Sequence, residues 1–164
     1  MAITMNIEGL AELSEQLAQL GEKAQGVAAL GLYEGAGIMA EEIKRGADTI
    51  RTEEFHYAVF PAVTQRLPTP EEKAIVQEAG AGIAKFQKNG SEVNTSVGYR
   101  NAGYAELKGK SVPIPKIVNA INSGTSFMKK QPFVRKAATS GAQKAEAAIT
   151  KMIEQKFDEI INNK

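Results

Sequence analysis

The chain has 164 residues, 43% hydrophobic and 24% charged, a balance that fits one soluble globular domain and excludes disordered and fibrous classes. It contains no cysteine, which removes disulfides, zinc–thiolate centres and thiol nucleophiles together and fits a reducing compartment. A formal net charge of +1 hides an asymmetry: residues 1–50 carry 3 basic and 8 acidic side chains (−5), and residues 91–140 carry 8 basic and 2 acidic (+6).

Such regions can fold against each other, stay solvated, or steer one subunit's acidic face onto a neighbour's basic face. Glu8 and Glu12 interrupt any signal-peptide pattern, and no apolar run approaches the roughly 20 residues of a membrane span. The expectation is a soluble chain, made in the cytosol, with no membrane partner.

Ile3, Met5 and Ile7 alternate with polar residues, a short strand pattern. Leu10, Leu13, Leu17 and Leu20 then recur at helical spacing, with Gly21 as a cap. Residues 23–46 predict a second helix, with Val27, Leu30, Ile38, Met39 and Ile43 apolar and much of the rest Gly or Ala. Each interior Gly costs about 1 kcal/mol relative to Ala, so close packing must offset them, and the helix is expected to be buried and central. Lys44 and Arg45 suit its C-terminus, and Gly46 is the expected stop.

Residues 48–68 show no sustained period; Phe55, Tyr57, Val59 and Phe60 read as a short strand or as loop residues folded over something. Thr69-Pro70-Glu71-Glu72 is a helix start with a capping box, and Ile75, Ala79, Ile83 and Phe86 predict that the helix runs on to Asn89-Gly90. Residues 92–99 alternate as a strand with Val93, Thr95, Val97 and Tyr99 on one side. Residues 100–116, rich in Gly, Lys and Pro, read as an exposed excursion, and Ile117–Ile121 as a short apolar element of undecided type. A long helix follows from about Pro132 to Ile161, with Val134, Ala138, Gly141, Ala145, Ala148, Met152, Ile153, Phe157 and Ile160 on its buried face. The fold class is α+β: a small antiparallel sheet packed against several helices, with a long C-terminal helix, in a single domain over residues 1–164.

No residue set predicts catalysis. His56 is the single histidine and has no partner at triad or metal-ligand spacing. Gly35-Ala36-Gly37-Ile38 and Gly80-Ala81-Gly82-Ile83 share letters with a dinucleotide fingerprint, but both fall in predicted helices instead of a strand-to-helix turn. Glu41-Glu42 and Glu53-Glu54 are adjacent acids that point to different faces, and Ser123-Gly124-Thr125-Ser126 lacks the frame of a nucleophile elbow. Lys108, Lys110, Lys116, Lys129, Lys130, Arg135 and Lys136 suit nonspecific phosphate contact or simple solvation. The chain therefore reads as a non-enzyme without a cofactor or metal.

The joint at Asn122–Ala138, NSGTSFMKKQPFVRKAA, combines a turn at Gly124 with hydroxyls at Thr125 and Ser126, and Pro132 opens the last helix. Gly124-Thr125-Ser126-Phe127-Met128 followed by Gln131-Pro132-Phe133-Val134-Arg135-Lys136-Ala137 resembles the tail-completion (neck, head–tail joining) family of tailed bacteriophages. In that family a Gly-Thr-Ser turn precedes a Pro-Phe pair that opens the C-terminal helix. Ile7-Glu8-Gly9-Leu10-Ala11-Glu12-Leu13, Asp48-Thr49-Ile50-Arg51 and Val97-Gly98-Tyr99 match further family segments in order. Ile50 stands where Gly is usual, Asn122-Ser123 replaces an acid–aromatic pair, and residues 53–90 enlarge a connection that is normally shorter.

The resemblance implies a structural virion protein, assembled as a homo-oligomeric ring, a hexamer in the family's manner, at the head–tail junction around the DNA channel. Its partners would be neighbouring neck and tail proteins, with DNA passing nearby, and its location the virion after assembly in the host cytoplasm. A tail-terminator ring capping the tail tube is the alternative, and a small nonspecific DNA-binding module a further one. The expected interface is the joint itself: Gly124, Thr125, Ser126, Phe127, Met128, Lys129, Lys130, Pro132 and Phe133. In a ring, the acidic N-terminal helices of one subunit would face the basic 100–136 region of the next.

Overall fold

A computed structural model describes residues 2–5, 22–53, 65–89 and 92–162. The expected leucine-striped helix at 10–20, the aromatic stretch 55–60 and His56 lie outside them. The remaining elements form the α+β arrangement: a long C-terminal helix, three further helices and two small antiparallel sheets among the described residues.

The helix α1, Glu22–Asp48, pairs antiparallel with the C-terminal helix α4, Phe133–Asn162, and the pairing explains most of its small residues. A Cβ on Gly35 would lie 2.5 Å from Ile149 Cδ1, and one on Gly31 would lie 2.9 Å from Ile153 Cγ1. At the other end the roles reverse, and a Cβ on Gly141 of α4 would meet Met39 Sδ of α1 at 2.7 Å. Each helix thus supplies holes where the other supplies knobs, and dispersion contacts at short axial separation offset the glycine cost. Gly46 does not stop α1. The helix continues to Asp48, and Gly46 is small because a Cβ there would sit 3.1 Å from the Phe133 carbonyl oxygen. Leu30 also departs from expectation, since it is 49% exposed, while Leu32 is buried.

The sheet is built on β4, Glu92–Gly98, flanked on one edge by β1, Ala2–Met5. The other edge carries β2, Gly82–Ile83, and then β3, Gln87–Asn89. Four positions separate Ile83 from Gln87, but their partners Val97 and Asn94 are three apart, so this edge contains one extra residue, a bulge. The buried Thr95 hydroxyl bridges it by donating to the Ala84 carbonyl at 2.7 Å. These strands correct the expected helix over 70–89. The helix α2, Pro70–Ala79, starts as expected, with Thr69 and Glu72 completing the capping box, but it ends at Gly80. Val76, not the Ile75–Phe86 stripe, supplies its fully buried apolar side chain. Ile83 keeps helical spacing by coincidence: β4 offers an open edge, and Gly80-Ala81-Gly82 resists helix.

The stretch expected as an exposed excursion contains a hairpin of β5, Tyr104–Leu107, and β6, Lys110–Pro113, standing apart from the main sheet. Lys108 (φ 52°) and Gly109 (φ 71°) form the two-residue, left-handed turn whose twist suits adjacent antiparallel strands. The undecided element after it is the helix α3, Ile114–Ser123, burying Ile114, Ile117, Val118 and Ile121 at helical spacing.

The larger core joins α1, β4, α3 and the first turns of α4 around Ile43, Val97, Tyr99, Ile121 and Val134. A smaller cluster holds Val27, Leu32, Ile149 and Ile153 at the far end of the α1–α4 pair. Tyr99 is fully buried with its ring edge-to-face on Phe133, yet its hydroxyl has no hydrogen-bond partner among the described residues. Burial, helped by the nearby Asp48 carboxylate, pushes the phenol up to about 12. Since an unsatisfied buried hydroxyl costs about 1–3 kcal/mol, Tyr99→Phe is expected to raise stability by about 1 kcal/mol. An increase in Tm would show it, and a decrease would mean that the hydroxyl is bonded in the folded chain.

Candidate functional site

The joint between α3 and α4 is a compact turn braced from three directions. Gly124 closes α3 with φ 78°, its N–H reaching the Ala120 carbonyl at 3.0 Å. A Cβ there would be 3.0 Å from Lys130 Cβ and 3.2 Å from Lys130 N, so both dihedral and space demand glycine. Thr125 then organises the turn. Its Oγ1 accepts from the N–H groups of Phe127 (3.1 Å) and Met128 (2.9 Å), and its own N–H donates to the Met128 carbonyl at 2.9 Å.

The second brace comes from residues 65–68. Arg66 forms a parallel bridge with Met128: its N–H donates to the Phe127 carbonyl at 2.9 Å, and its carbonyl accepts from Lys129 N–H at 2.8 Å. Gln65 Nε2 adds a bond to the Thr125 carbonyl at 2.8 Å. The Arg66 guanidinium is fixed by a two-pronged pair with Glu72, at 2.7 and 2.6 Å. Glu72 Oε2 also accepts from Thr69 N–H at 2.8 Å, so the start of α2 and the joint share one carboxylate. Burial pushes that carboxyl up, but the hydrogen bonds from Arg66 and Thr69 outweigh it and hold the group below its ordinary value.

The third brace is Gln131, whose side-chain amide mimics a strand partner. It accepts from Arg51 N–H at 2.9 Å and donates to the Arg51 carbonyl at 2.8 Å, while its own N–H bonds the Ile121 carbonyl. The helix α4 then begins at Phe133, one residue after the expected start, with the Pro132 carbonyl accepting from Lys136 N–H at 3.0 Å. One of its free amides is met from the preceding helix: buried Asn122 Oδ1 accepts from Val134 N–H at 3.1 Å.

This geometry divides the nine expected interface residues. Met128 and Phe133 point into the core, at 6% and 3% exposure, and Gly124 and Thr125 shape the turn. Pro132 is half-buried. Ser126, Phe127, Lys129 and Lys130 face outward, and Phe127 is 70% exposed, although the turn carrying it is fixed by seven hydrogen bonds. Arg66, Gln131 and Asn122 were not expected in this role. A bidentate Arg–Glu pair at positions 66 and 72 leaves no periodic signature, and only the capping box hinted at Glu72.

A second surface feature lies on α1. A groove of about 410 Å3, in the range of about 300–1,000 Å3 usual for ligand-sized clefts, is walled by Tyr33, Glu34, Gly37, Ile38 and Glu41. One end is closed by Glu42, whose Oε1 takes both Lys144 Nζ and Arg45 Nη1 at 2.9 Å. The hydrogen bond from Lys144 is the main reason that carboxyl lies below its ordinary value. The Gly35-Ala36-Gly37-Ile38 motif thus sits mid-helix, and its second copy spans the end of α2 and β2, the reverse of the strand-to-helix order that binds pyrophosphate. Among the described residues, no group of three or more acidic or histidine side chains is arranged to hold a metal, and no helix is long and apolar enough to cross a membrane.

Comparison with family models, curated proteins and solved structures returns no match to this chain.

Proposed function

We propose that this chain is a structural virion protein that self-assembles into a ring at the head–tail junction of a tailed bacteriophage. In that role it joins tail to head around the DNA channel and performs no catalysis. The observation that carries the proposal is Phe127, a large aromatic held 70% exposed on a turn that three separate parts of the chain immobilise. An exposed apolar side chain on a floppy loop is unremarkable, but fixing one in place removes the entropy that docking would otherwise cost. Aromatic anchors of this kind concentrate binding energy in interfaces. The flanking Lys129 and Lys130 are exposed, and neither has a carboxylate partner among the described residues. The sequence resemblance to tail-completion proteins rests on this same turn, and supplies the ring, its neck and tail neighbours and its location in the virion.

The test is the native mass of the purified chain, alone and mixed with tail tubes, by light scattering or native mass spectrometry. A closed ring gives one discrete multiple of the subunit mass in at least one of the two settings. A monomer at every concentration and in both settings would end the proposal.

A further inference from the structure

The turn and the α1 groove have matching chemistry, and among the described residues of one chain they do not meet: Phe127 is exposed, and no described residue fills the groove. Gly37 forms part of the groove, and a Cβ on it, like one on Gly26 nearer the start of α1, would meet nothing within 4 Å among the described residues. Gly31 and Gly35, by contrast, are filled by Ile153 and Ile149. A mid-helix glycine is less stable than Ala, and at Gly37 no contact among the described residues offsets that cost. Tyr33, 44% exposed, and Ile38 give the groove apolar walls. Glu34 and Glu41 stand beside them, and neither is in an ion pair among the described residues.

We propose that the Phe127 turn of one copy seats in the α1 groove of the next, Phe127 lying over Gly37 against Tyr33 and Ile38, with Lys129 and Lys130 opposite Glu34 and Glu41. This rests on the self-assembly reading above and names its contact. The occupant is a second copy because the aromatic, cationic turn complements this groove of the same sequence: apolar, with Arg45 and Lys144 both taken up by Glu42 and the acids Glu34 and Glu41 left over. Two different patches on one subunit make a heterologous contact, which propagates until it closes.

The experiment uses the full chain. Reversing the turn (Lys129→Glu with Lys130→Glu) or the groove (Glu34→Lys with Glu41→Lys) should each raise the midpoint concentration for assembly by about 100-fold, and combining all four should restore most of it. Because the chain has no cysteine, Ser126→Cys protein mixed with Gly37→Cys protein should give a disulfide-linked heterodimer and no homodimers. If wild type assembles but neither reversal weakens it and no cross-link forms, the contact is wrong and the ring reading survives. If wild type never assembles, the ring reading falls and takes this contact with it. An intrachain cross-link between Leu13→Cys and Gly37→Cys would show the groove filled by the chain's own leucine stretch, and would also overturn the contact.

Discussion

Glu72→Ala should lower the unfolding free energy by about 3–4 kcal/mol, measured by urea denaturation. Two losses combine. The Glu72 carboxylate, its side chain 8% exposed, is the partner of the Arg66 guanidinium, and removing one member of a buried pair costs about 3–5 kcal/mol. The lower part of that range applies because a quarter of the Arg66 side chain, 26%, reaches water. The capping box on α2 goes as well, leaving Thr69 N–H without its carboxylate acceptor. Removing both charges together, as Arg66→Met with Glu72→Met, should cost less than the two single changes added, since no buried charge is then stranded.

The same carboxylate sets a pH dependence. Its pKa is depressed in the folded chain, so its stabilisation is complete above the ordinary carboxyl value and is lost as pH falls through the lower, folded one. Wild-type protein should therefore lose stability over that acidic window, and the gap between wild type and Glu72→Ala should narrow there. A gap that is constant with pH would show that the carboxylate is not paired as described.

Phe133→Ala should cost about 3–5 kcal/mol, the usual loss for emptying a buried aromatic site. Phe133 is 3% exposed, its ring packs edge-to-face on Tyr99 with centroids 6.3 Å apart, and its carbonyl forms the surface against which Gly46 fits. Little can collapse into the space, because Tyr99 is itself fully buried in the bend after β4 and Gly46 of α1 already lies against the Phe133 backbone. Phe133→Leu should cost less, since it keeps most of the volume. Phe127→Ala is the control six positions earlier: an exposed ring, whose loss should change monomer stability by no more than about 0.5 kcal/mol. If the two alanine variants lost similar stability, the division of the joint into an inward and an outward set would be wrong.

Several elements were legible from residue order alone. The start of α2 is written in Thr69, Pro70 and Glu72, because a capping box needs only residues three apart. The alternation through Val93, Thr95, Val97 and Tyr99 gave β4, and Pro132 placed the start of α4 to within one residue. The end of α2 was not legible, because helical spacing at Ile83 and Phe86 persisted past Gly80 while the competing partner, β4, lay further along the chain. The hairpin 104–113 was missed for a related reason: its turn, Lys108-Gly109, places a lysine in the left-handed region, where Asn or Gly is the usual signal.

The joint divides along the same line. Its glycine, its threonine and its proline follow from the sequence by itself, since backbone dihedrals and side-chain-to-amide bonds act within a few residues. What makes it rigid is decided only in the tertiary structure. Gln131 meets Arg51 across 80 positions, Gln65 meets Thr125 across 60, and Asn122 caps a helix that starts on the far side of the turn. No local preference encodes such partners, because each depends on where burial of α1, α3 and α4 brings distant backbone together. The sequence determined that a turn is made at Gly124 and that a helix follows. The tertiary structure decided that Met128 and Phe133 turn inward, that Phe127 and its lysines turn outward, and that the outward set is held still.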